Sequence, residues 1–488
     1  MRGKVILGII LTLAMLTMAF GMQPVKAEKT EVVIGWAHPL TTPAAGPCSI
    51  HHAYYKMLIQ DYNAKGGLYV PELGKRLPIR YIEYDNEFDP EKTLRLYEKL
   101  ITEDKVDLVF GPWGTAFNVA VFPLLDAYHY PVVGLTVGSD SLSEAMMRGE
   151  YRWIFLTLGV PWEDGEQLAA LFSDINQKVK DEWKIRKVGI TYRSDEHGIE
   201  HANGIKAKLE AIGISVPVLI EYDAFNPPTD FTPIVTQFRD ANVDVAMLCG
   251  YDEGAYFVHT CIALDYNPKL LFIGPVMELS FLVFGPFGFT YGQMAGVTYY
   301  NGFPSTDYKS VPKYWEWAIE HEQRLGYLPF PASMSFYCGL ECMFLAVEKY
   351  GLDRAKIRDA LETETFDTKA GKYKFRTGRS PEIENHGTIS QWQGGELMEV
   401  VWPPERKSAS VIYPKFPWSW AEVPDVKRDG IVNIIDISIA AKAYGTSAPP
   451  PRSPRWDPAA DIDRNGLVNI LDLAKIAKAF GTKVTYPF

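Results

Sequence analysis

Short apolar runs and amphipathic stretches alternate along the first part of the chain. The runs are rich in Val, Ile and Leu, as is typical of strands buried in a parallel sheet, and the stretches between them carry apolar residues at helical spacing. This alternation predicts a doubly wound α/β sheet with right-handed crossovers. Its predicted strands are 31–36, 77–84, 106–110 and 132–135, and its predicted helices are 49–63, 90–103 and 116–128.

The same pattern repeats further along the chain and predicts a second sheet of similar size. Its predicted strands are 187–192, 216–222, 243–249 and 270–273, and its predicted helices are 165–177, 198–211, 231–241 and 254–264. Two consecutive sheets of this kind predict two lobes with a cleft between them.

One turn of the first sheet carries candidate chemistry. The apolar run at 106–110 stops at Gly111 and Pro112, and helical spacing resumes at Thr115. This places Thr115 and the first free amides of a helix at the carboxyl end of the sheet, where open α/β proteins bind anionic groups. Trp113 is expected to lie over the same spot. The alternative interpretation is an ordinary strand–helix turn with a structural glycine.

Composition narrows the classes of function. The 488 residues are 47% hydrophobic and 13% aromatic, which is enough for about three domains with filled cores. A net charge of -11 and the lack of a basic run argue against nucleic acid as a main partner. The five cysteines are interpreted as buried apolar side chains, with a Cys249–Cys261 bridge as the alternative.

The amino terminus predicts export. Basic residues precede an apolar core at 5–20, and small residues lie near Ala27, so residues 1–27 are interpreted as a secretory signal peptide. No later stretch is long and apolar enough to span a bilayer. The mature chain is expected to be periplasmic or extracellular and associated with the cell surface.

Several short segments, in a specific order and spacing, resemble one family. They are IGWAHPLTTPAAGP after the first strand, NAKGG at 63–67, YDNEFDPEKT at 84–93, LVFGP at 108–112, LCGYDEGA at 248–255 and FIGP at 272–275. The chain resembles the branched-chain amino-acid-binding family of ABC-transporter solute receptors over about 31–412. The resemblance implies the α/β type I periplasmic-binding-protein fold, in which two doubly wound parallel sheets are joined by three crossovers.

The resemblance also implies a division of the chain. The crossovers are expected near 154–159, 273–278 and 330–335. Lobe I then comprises about 31–154 and 275–332, and lobe II about 155–274 and 333–412.

The implied function is binding without catalysis. Closure of the lobes over an amino acid, with branched-chain amino acids as the leading candidates, would deliver it to an ABC permease. A ligand sensor with the same fold and a secreted hydrolase are the alternatives.

The resemblance assigns ligand contacts residue by residue. Thr115 matches a hydroxyl that receives the ligand carboxylate. Thr136 and Gly138 match groups that contact the zwitterion, and Ser139 can replace the hydroxyl lost at Gly138. Tyr251 matches an aromatic residue that closes over the ligand from the second lobe.

The chain departs from the family at the ammonium group. Where family members carry an acid, this chain has Val276, so Glu278 and Glu163 become the candidate counter-ions. A solvated helix-start acid is the alternative interpretation of Glu163. Trp113 and Trp162 would make the pocket more aromatic than leucine requires, so an aromatic or amide-bearing ligand ranks second.

His197 aligns with an aromatic residue of the family and is interpreted as a surface histidine.

A Pro- and Trp-rich linker at 413–424, expected to pack on the lobe, leads to an internal repeat. The repeat reads DVKRDGIVNIIDISIAAKAYGT at 425–446 and DIDRNGLVNILDLAKIAKAFGT at 461–482. Each copy has oxygen side chains at loop positions one, five, nine and twelve and a glycine at position six, as a Ca²⁺-binding EF-hand-like loop requires. The pair at 425–482 resembles a small all-α type I dockerin, which implies calcium and a cohesin-like partner.

The two loops are predicted to bind Ca²⁺ unequally. In the first loop Lys427 replaces the oxygen at position three and is expected to leave the loop empty or to pair with Asp425 or Asp429. The second loop is complete. The candidate ligands are Asp425, Asp429, Asn433 and Asp436 in the first loop, and Asp461, Asp463, Asn465, the Leu467 carbonyl, Asn469 and Asp472 in the second.

Overall fold

The computed structural model describes most of the chain after the predicted signal peptide. The described residues are 29–42, 44–275, 296–306, 312–326, 331–369, 371–383, 386–393, 398–415, 418, 424–427, 429–447, 455, 457, 459–463 and 465–484. The predicted signal peptide at 1–27, Val276 and the candidate counter-ion Glu278 lie outside them.

The first lobe is built on short parallel strands flanked by helices. Strands β4, β1 and β5 form one sheet in that order, and β6 pairs with β7. Helix α2 begins after Asp89, whose carboxylate accepts a hydrogen bond from the Lys92 amide at 2.8 Å. The elements are β1 (Val32–His38), α1 (Ala45–Asn63), β2 (Leu68–Val70), β3 (Lys75–Leu77), β4 (Ile79–Asp85), α2 (Pro90–Thr102), β5 (Leu108–Val109), α3 (Thr115–Ala127), β6 (Val132–Gly134), α4 (Asp140–Met147) and β7 (Ile154–Leu156), with a 3₁₀ turn at Pro71–Leu73.

The second lobe follows directly. Its central strands β8, β10 and β11 are fully parallel, and nearly all of their side chains are buried, as expected for a sheet covered by helices on both faces. The elements are α5 (Pro161–Lys178), β8 (Lys187–Arg193), α6 (Glu196–Ala211), β9 (Ser215–Tyr222), α7 (Thr232–Asp240), β10 (Val245–Gly250), α8 (Gly254–Ala263), β11 (Leu270–Pro275) and β12 (Val297–Thr306), with a 3₁₀ turn at Asp181–Trp183.

After β12 the chain returns to the first lobe. Trp317 and Phe336 share one buried apolar cluster with Trp36 of β1. Arg324 also pairs with Asp61 of α1 at 2.5 Å. The elements of this return are α9 (Pro312–Leu325), α10 (Pro331–Tyr350), α11 (Arg354–Thr363), β13 (Phe366–Thr368), β14 (Gly371–Arg376) and β15 (Arg379–Ile383).

Strands β16 (His386–Trp392) and β17 (Met398–Trp402) then complete the second sheet, whose order is β17-β16-β12-β11-β10-β8-β9. Strand β12 pairs with β11 in parallel and with β16 in antiparallel orientation.

The expected division of the chain is therefore partly wrong. Residues 297–306 belong to the second lobe because β12 extends its sheet, and residues 333–383 belong to the first lobe because α10 packs into its core. The described chain changes lobe between β7 and α5, between β12 and α9, and between β15 and β16. The crossover expected near 154–159 agrees with this, and those expected near 273–278 and 330–335 do not.

The described residues at the start of the linker, 413–415 and 418, pack on the second lobe, as the sequence predicts. The Lys415 amide donates to the Lys269 carbonyl at 2.8 Å. Trp418 donates its backbone amide to Asn267 at 2.8 Å and its indole N–H to the Tyr266 carbonyl at 2.7 Å.

The C-terminal repeat has its own small core, which includes Val432, Val468 and Ile476. The two copies share one local structure, since each helix begins with an Asn–Asp capping box. The elements are α12 (Ile434–Ala443), β18 (Thr446–Ser447), β19 (Leu467–Val468) and α13 (Ile470–Lys478).

The cysteines are packing residues, as predicted. All five are buried and none forms a disulfide, so the alternative of a Cys249–Cys261 bridge is wrong.

Candidate functional site

The turn between β5 and α3 leads into a helix whose start has no side-chain cap. Gly114 precedes α3 with φ of 92°, a conformation that favours glycine, and no side chain caps the helix there. Thr136, which the resemblance names as a ligand contact, accepts the Gly114 amide through its hydroxyl at 2.7 Å and fixes the turn. A helix start without a side-chain cap is the kind that receives anionic groups.

Thr115 lies at the centre of the predicted site. Its hydroxyl, almost fully buried, accepts the Gly138 amide at 3.3 Å and lies within hydrogen-bonding reach of Tyr251 from the second lobe. The structure thus brings together Thr115, Gly138 and Tyr251, three of the residues named from sequence. A side chain at position 138 would meet the Gly159 carbonyl 2.9 Å from its Cβ, which explains why this chain lacks a hydroxyl there.

Aromatic rings close the site from both lobes. Trp113 of the first lobe and Tyr251 of the second have ring centroids 5.2 Å apart, and both rings are buried. They pack with Cys48 and the edge of Phe88. Trp113 donates its indole N–H to His51 at 3.3 Å, which sets the orientation of the ring. The lobes are therefore in contact over the Thr115 hydroxyl.

His197 belongs to this site, and its interpretation as a surface residue is wrong. It is 1% exposed, and its ring lies 4.6 Å from that of Tyr251. Neither ring nitrogen has a hydrogen-bond partner among the described residues. Burial, together with the charges of His201 and Arg193, lowers the pKa of His197 well below its usual value, so the ring is neutral at physiological pH. A neutral imidazole offers a ligand one donor and one acceptor.

A group of paired charged side chains packs against the Tyr251 ring. The Arg193 guanidinium lies 3.9 Å from the Tyr251 ring centroid and forms ion pairs with Asp195 at 2.7 Å and Glu253 at 3.1 Å. Both carboxylates are thus engaged within the protein.

Glu163 and Trp162 serve the contact between lobes instead of the Thr115 site. Both Glu163 carboxylate oxygens are engaged by the β14–β15 hairpin: one accepts the Ser380 amide at 2.9 Å and the other pairs with Arg376 at 3.3 Å. This contradicts the interpretation of Glu163 as a free counter-ion or a solvated acid. Trp162 donates its amide to Asp140 at 3.0 Å, and Arg379 lies over its ring.

Ser139 is occupied by a structural role. Its hydroxyl caps α4 by accepting the Leu142 amide at 3.1 Å. The expectation that it replaces the hydroxyl missing at Gly138 is therefore not supported by its geometry.

The second loop of the C-terminal repeat gathers carboxylates. One oxygen each from Asp461, Asp463 and Asp472 lies within 4.8 Å of the others. Burial raises the pKa of Asp461 to about 7, and the neighbouring carboxylates add to this rise. Crowded oxygen donors of this kind are those that Ca²⁺ prefers, so these residues fit the ion. Lys475 also pairs with Asp463, at 3.2 Å.

The first loop is arranged differently. Lys427 pairs with Asp429 at 3.0 Å, as one of the sequence alternatives predicted. Asp425 instead accepts the Gly430 amide at 2.7 Å. Lys427 thus fills the loop position that Asp463 holds in the second loop.

The Asn side chains of the two loops are used by the backbone. Asn433 and Asn469 accept amide hydrogen bonds at 2.8 Å as helix N-caps, while Asp436 and Asp472 complete the capping boxes. Asn465 accepts the Leu467 amide at 2.9 Å. Asp461 and Asp472 accept backbone amides in the same way, from Gly466 and Ile462 at 2.8 Å, so the Asn side chains and the carboxylates all remain candidate ligands.

Residues 31–396 match the family described as periplasmic binding protein, so the chain belongs to that family. Similar solved structures include a leucine-binding protein from Thermotoga maritima, at 14% identity over 74% of this chain and 95% of that chain, with a TM-score of 0.59. At such identities the likeness shows the fold alone.

Two further similar structures are complexes with ligands. A solute-binding protein from R. palustris in complex with benzoate is 16% identical over 79% of this chain and 97% of that chain, with a TM-score of 0.61. A substrate-binding protein of a branched-chain amino acid transporter from Streptococcus pneumoniae, in complex with isoleucine, is 16% identical over 79% of this chain and 100% of that chain, with a TM-score of 0.60.

Proteins of this family bind ligands and are non-enzymatic. The chain is thus a binding protein, and its family implies a periplasmic or extracellular location. Among the described helices, none has both the length and the apolar character to cross a membrane.

Proposed function

We propose that the cleft of this chain holds the carboxylate of a small organic acid between the start of α3 and Gly138 and presents the ligand to an ABC permease. The observation that carries the proposal is the meeting of the Thr115 hydroxyl, the Gly138 amide and an uncapped helix start beneath Tyr251. These neutral donors and the dipole of α3 favour a negatively charged ligand group, so the proposed site does not depend on a positively charged side chain.

An α-amino acid, with branched-chain amino acids first, is the leading ligand. The complex of the Streptococcus pneumoniae protein with isoleucine supports this choice. Because Glu163 is engaged by the β14–β15 hairpin, the ammonium partner of such a ligand would have to come from elsewhere, and Glu278 is the remaining candidate from the sequence.

An aromatic carboxylate is the second candidate. Tyr251 lies next to the proposed carboxylate position, and the rings of Trp113 and His197 lie 5.2 Å and 4.6 Å from its ring. Aromatic faces of this kind pack well against a ligand ring. The complex of the R. palustris protein with benzoate supports this class. The two candidates differ in the ammonium group, so ligand charge separates them.

A thermal-shift screen tests the proposal. We expect leucine, isoleucine, phenylalanine or benzoate to raise the melting temperature, since a ligand at one hundred times its Kd stabilises by about 2.7 kcal/mol. The amide of the best ligand, which lacks the carboxylate, is the matched control and should not stabilise. Equal stabilisation by acid and amide would contradict the carboxylate site.

Transport and sensing are separated by an uptake assay. Cells that lack this chain should lose uptake of the labelled ligand. Unchanged uptake would favour the alternative of a ligand sensor with the same fold.

We further propose that the C-terminal module binds Ca²⁺ in its second loop and docks a cohesin-like partner, which would tether the protein at the cell surface. In support, the two repeats expose equivalent apolar pairs at the starts of their helices. Ile434 and Ile435 are 62% and 41% exposed, and Ile470 and Leu471 are 62% and 56% exposed. Apolar patches of this kind mark interaction sites.

Binding of the full chain to an immobilised cohesin domain tests the docking. We expect binding with Ca²⁺ that is lost in chelator and in an Ile434→Asp/Ile470→Asp variant. Binding that ignores both changes would contradict the proposed surface.

A further inference from the structure

A second contact between the lobes lies at the start of α4 and consists mainly of acids. Glu200 of the second lobe accepts the Asp140 amide at 2.5 Å and the Ser141 hydroxyl at 2.6 Å. Glu196, one turn earlier on α6, lies 3.3 Å from the same Ser141 hydroxyl. The positive end of α4 thus receives two carboxylates from the opposite lobe.

Asp140 of the first lobe in turn accepts a hydrogen bond from the second lobe. Its side chain accepts the Trp162 amide at 3.0 Å. On the second lobe Asp164, which is buried, pairs with His201 at 3.3 Å. We define Asp140, Asp164, Glu196 and Glu200, with His201, as the acidic cluster.

The cluster has more negative than positive charge. The charged groups that act most on the ionisation of Asp140 are His201, Glu200 and Asp164. Those that act most on Glu196 are Glu200 and Asp195, and Asp195 itself pairs with Arg193 at 2.7 Å. Within the acidic cluster, His201 is the one base.

The pKa values of Asp140, Glu196 and His201 are all raised. Burial raises the pKa of Asp140 to about 6, with the charges of Glu200 and Asp164 acting in the same direction and the Trp162 amide and His201 opposing. Burial, and then the charge of Glu200, raises the pKa of Glu196. Burial lowers the pKa of His201, but its hydrogen bond to Asp164 and the charge of Asp164 outweigh this and raise it overall.

We propose that closure of the two lobes takes up protons at the acidic cluster, so that acidic pH favours the closed, ligand-holding form. Asp140 belongs to the first lobe and Glu196 to the second, so each loses water when the lobes meet and regains it when they part. A carboxyl group that is harder to ionise in the closed form binds protons more tightly there. Stability of the closed form relative to the open form therefore rises as pH falls.

The size of the effect follows from Asp140. If its pKa is about 6 when closed and returns to the usual value of about 4 when open, lowering the pH from 7 to 5 raises the closed-to-open ratio about tenfold. Glu196 would add to this change in the same direction.

Single-molecule fluorescence energy transfer on the ligand-free full chain tests the proposal. Dyes on Leu94→Cys of the first lobe and Ile212→Cys of the second report the distance between lobes, since both positions are exposed and the five native cysteines are buried. We expect the closed population to rise about tenfold relative to the open one between pH 7 and pH 5. An unchanged ratio overturns the proposal, whatever ligand the cleft takes.

Variants locate the response. The Asp140→Asn/Glu196→Gln protein carries neutral mimics of the protonated groups, so it should be as closed at pH 7 as the parent is at pH 5 and should lose most of the pH response. Glu144→Gln, on the exposed side of α4, should respond as the parent does. A full pH response in the double variant, or its loss in the Glu144 control, assigns the effect elsewhere and overturns the proposal.

Discussion

The two-lobed body and the C-terminal module place different kinds of groups where their proposed charged ligands would bind. In the body, the groups around Thr115 are neutral donors whose positions are set by backbone and by buried rings. In the module, three carboxylates are crowded into a loop supported by a core of few side chains. The first arrangement is stable before its ligand arrives. In the second, the carboxylates repel one another, so under the proposed Ca²⁺ binding the module should depend on its ion far more than the body depends on its ligand.

Removal of Ca²⁺ should give the largest effect and should be confined to the module. In chelator we expect the amides of α12 and α13 to lose protection in hydrogen exchange of the full chain, while those of α3 keep it. Asp472→Ala should have the same effect at Ca²⁺ concentrations that protect the parent.

The first repeat supplies the control for this experiment. Asp436→Ala removes the same capping-box acid from the equivalent helix, which costs about 1 kcal/mol, but leaves the second loop intact. It should therefore keep Ca²⁺-dependent protection. Equal loss in both variants would show that the caps, and not the ion, hold the module together.

Loss of the Thr115 hydroxyl should weaken ligand binding without unfolding the body. A hydrogen bond to a charged group contributes about 1.5–3 kcal/mol, so Thr115→Val should raise the Kd of the best ligand from the thermal-shift screen by roughly ten- to a hundredfold in titration calorimetry. Ser139→Ala is the matched control because that hydroxyl caps α4. If Ser139→Ala costs the larger share of affinity, the carboxylate lies at α4.

Lys427→Asp should make the two loops of the module alike. It removes the ammonium that pairs with Asp429 and restores the acid that Asp463 supplies in the second loop. Calorimetry of the parent should show one tight Ca²⁺ site and that of the variant two. Two equal sites in the parent would remove the predicted difference between the loops.

Glu163→Gln should give the smallest change and should separate stability from binding. Because Glu163 holds Ser380 and Arg376, we expect the free energy of unfolding of the body to fall by about 1–2 kcal/mol, with ligand affinity unchanged. Denaturant titration and calorimetry measure the two quantities. A loss of affinity for an amino acid and not for benzoate would restore Glu163 as the ammonium partner.

Local patterns predicted much of the fold. The strand limits at 187–192 and 216–222 lie within one residue of those in the structure because apolar runs end where burial ends. The division between lobes was partly wrong, since the apolar face of α10 suits either lobe and long-range packing decides between them. Sequence spacing carries no such information.

The site shows the same limit. The start of α3 could be predicted because one turn encodes it, whereas the role of Glu163 depends on a hairpin more than two hundred residues away. His197 could have been found from its spacing to His201, since residues four apart share one face of a helix. Its burial could not, because that face is covered by Tyr251 and by the other lobe.

The hydrogen bonds that hold the linker on the second lobe decide where a pulling force would enter the protein. Tyr413, Lys415 and Trp418 join the linker to the second lobe through hydrogen bonds to Trp183, Lys269 and Tyr266. A load applied through a tethered C-terminal module would therefore enter the body at the second lobe and would bypass the segments where the chain changes lobe. The second lobe would then be held in place while the first lobe moves relative to it, so the two lobes could open and close under tension.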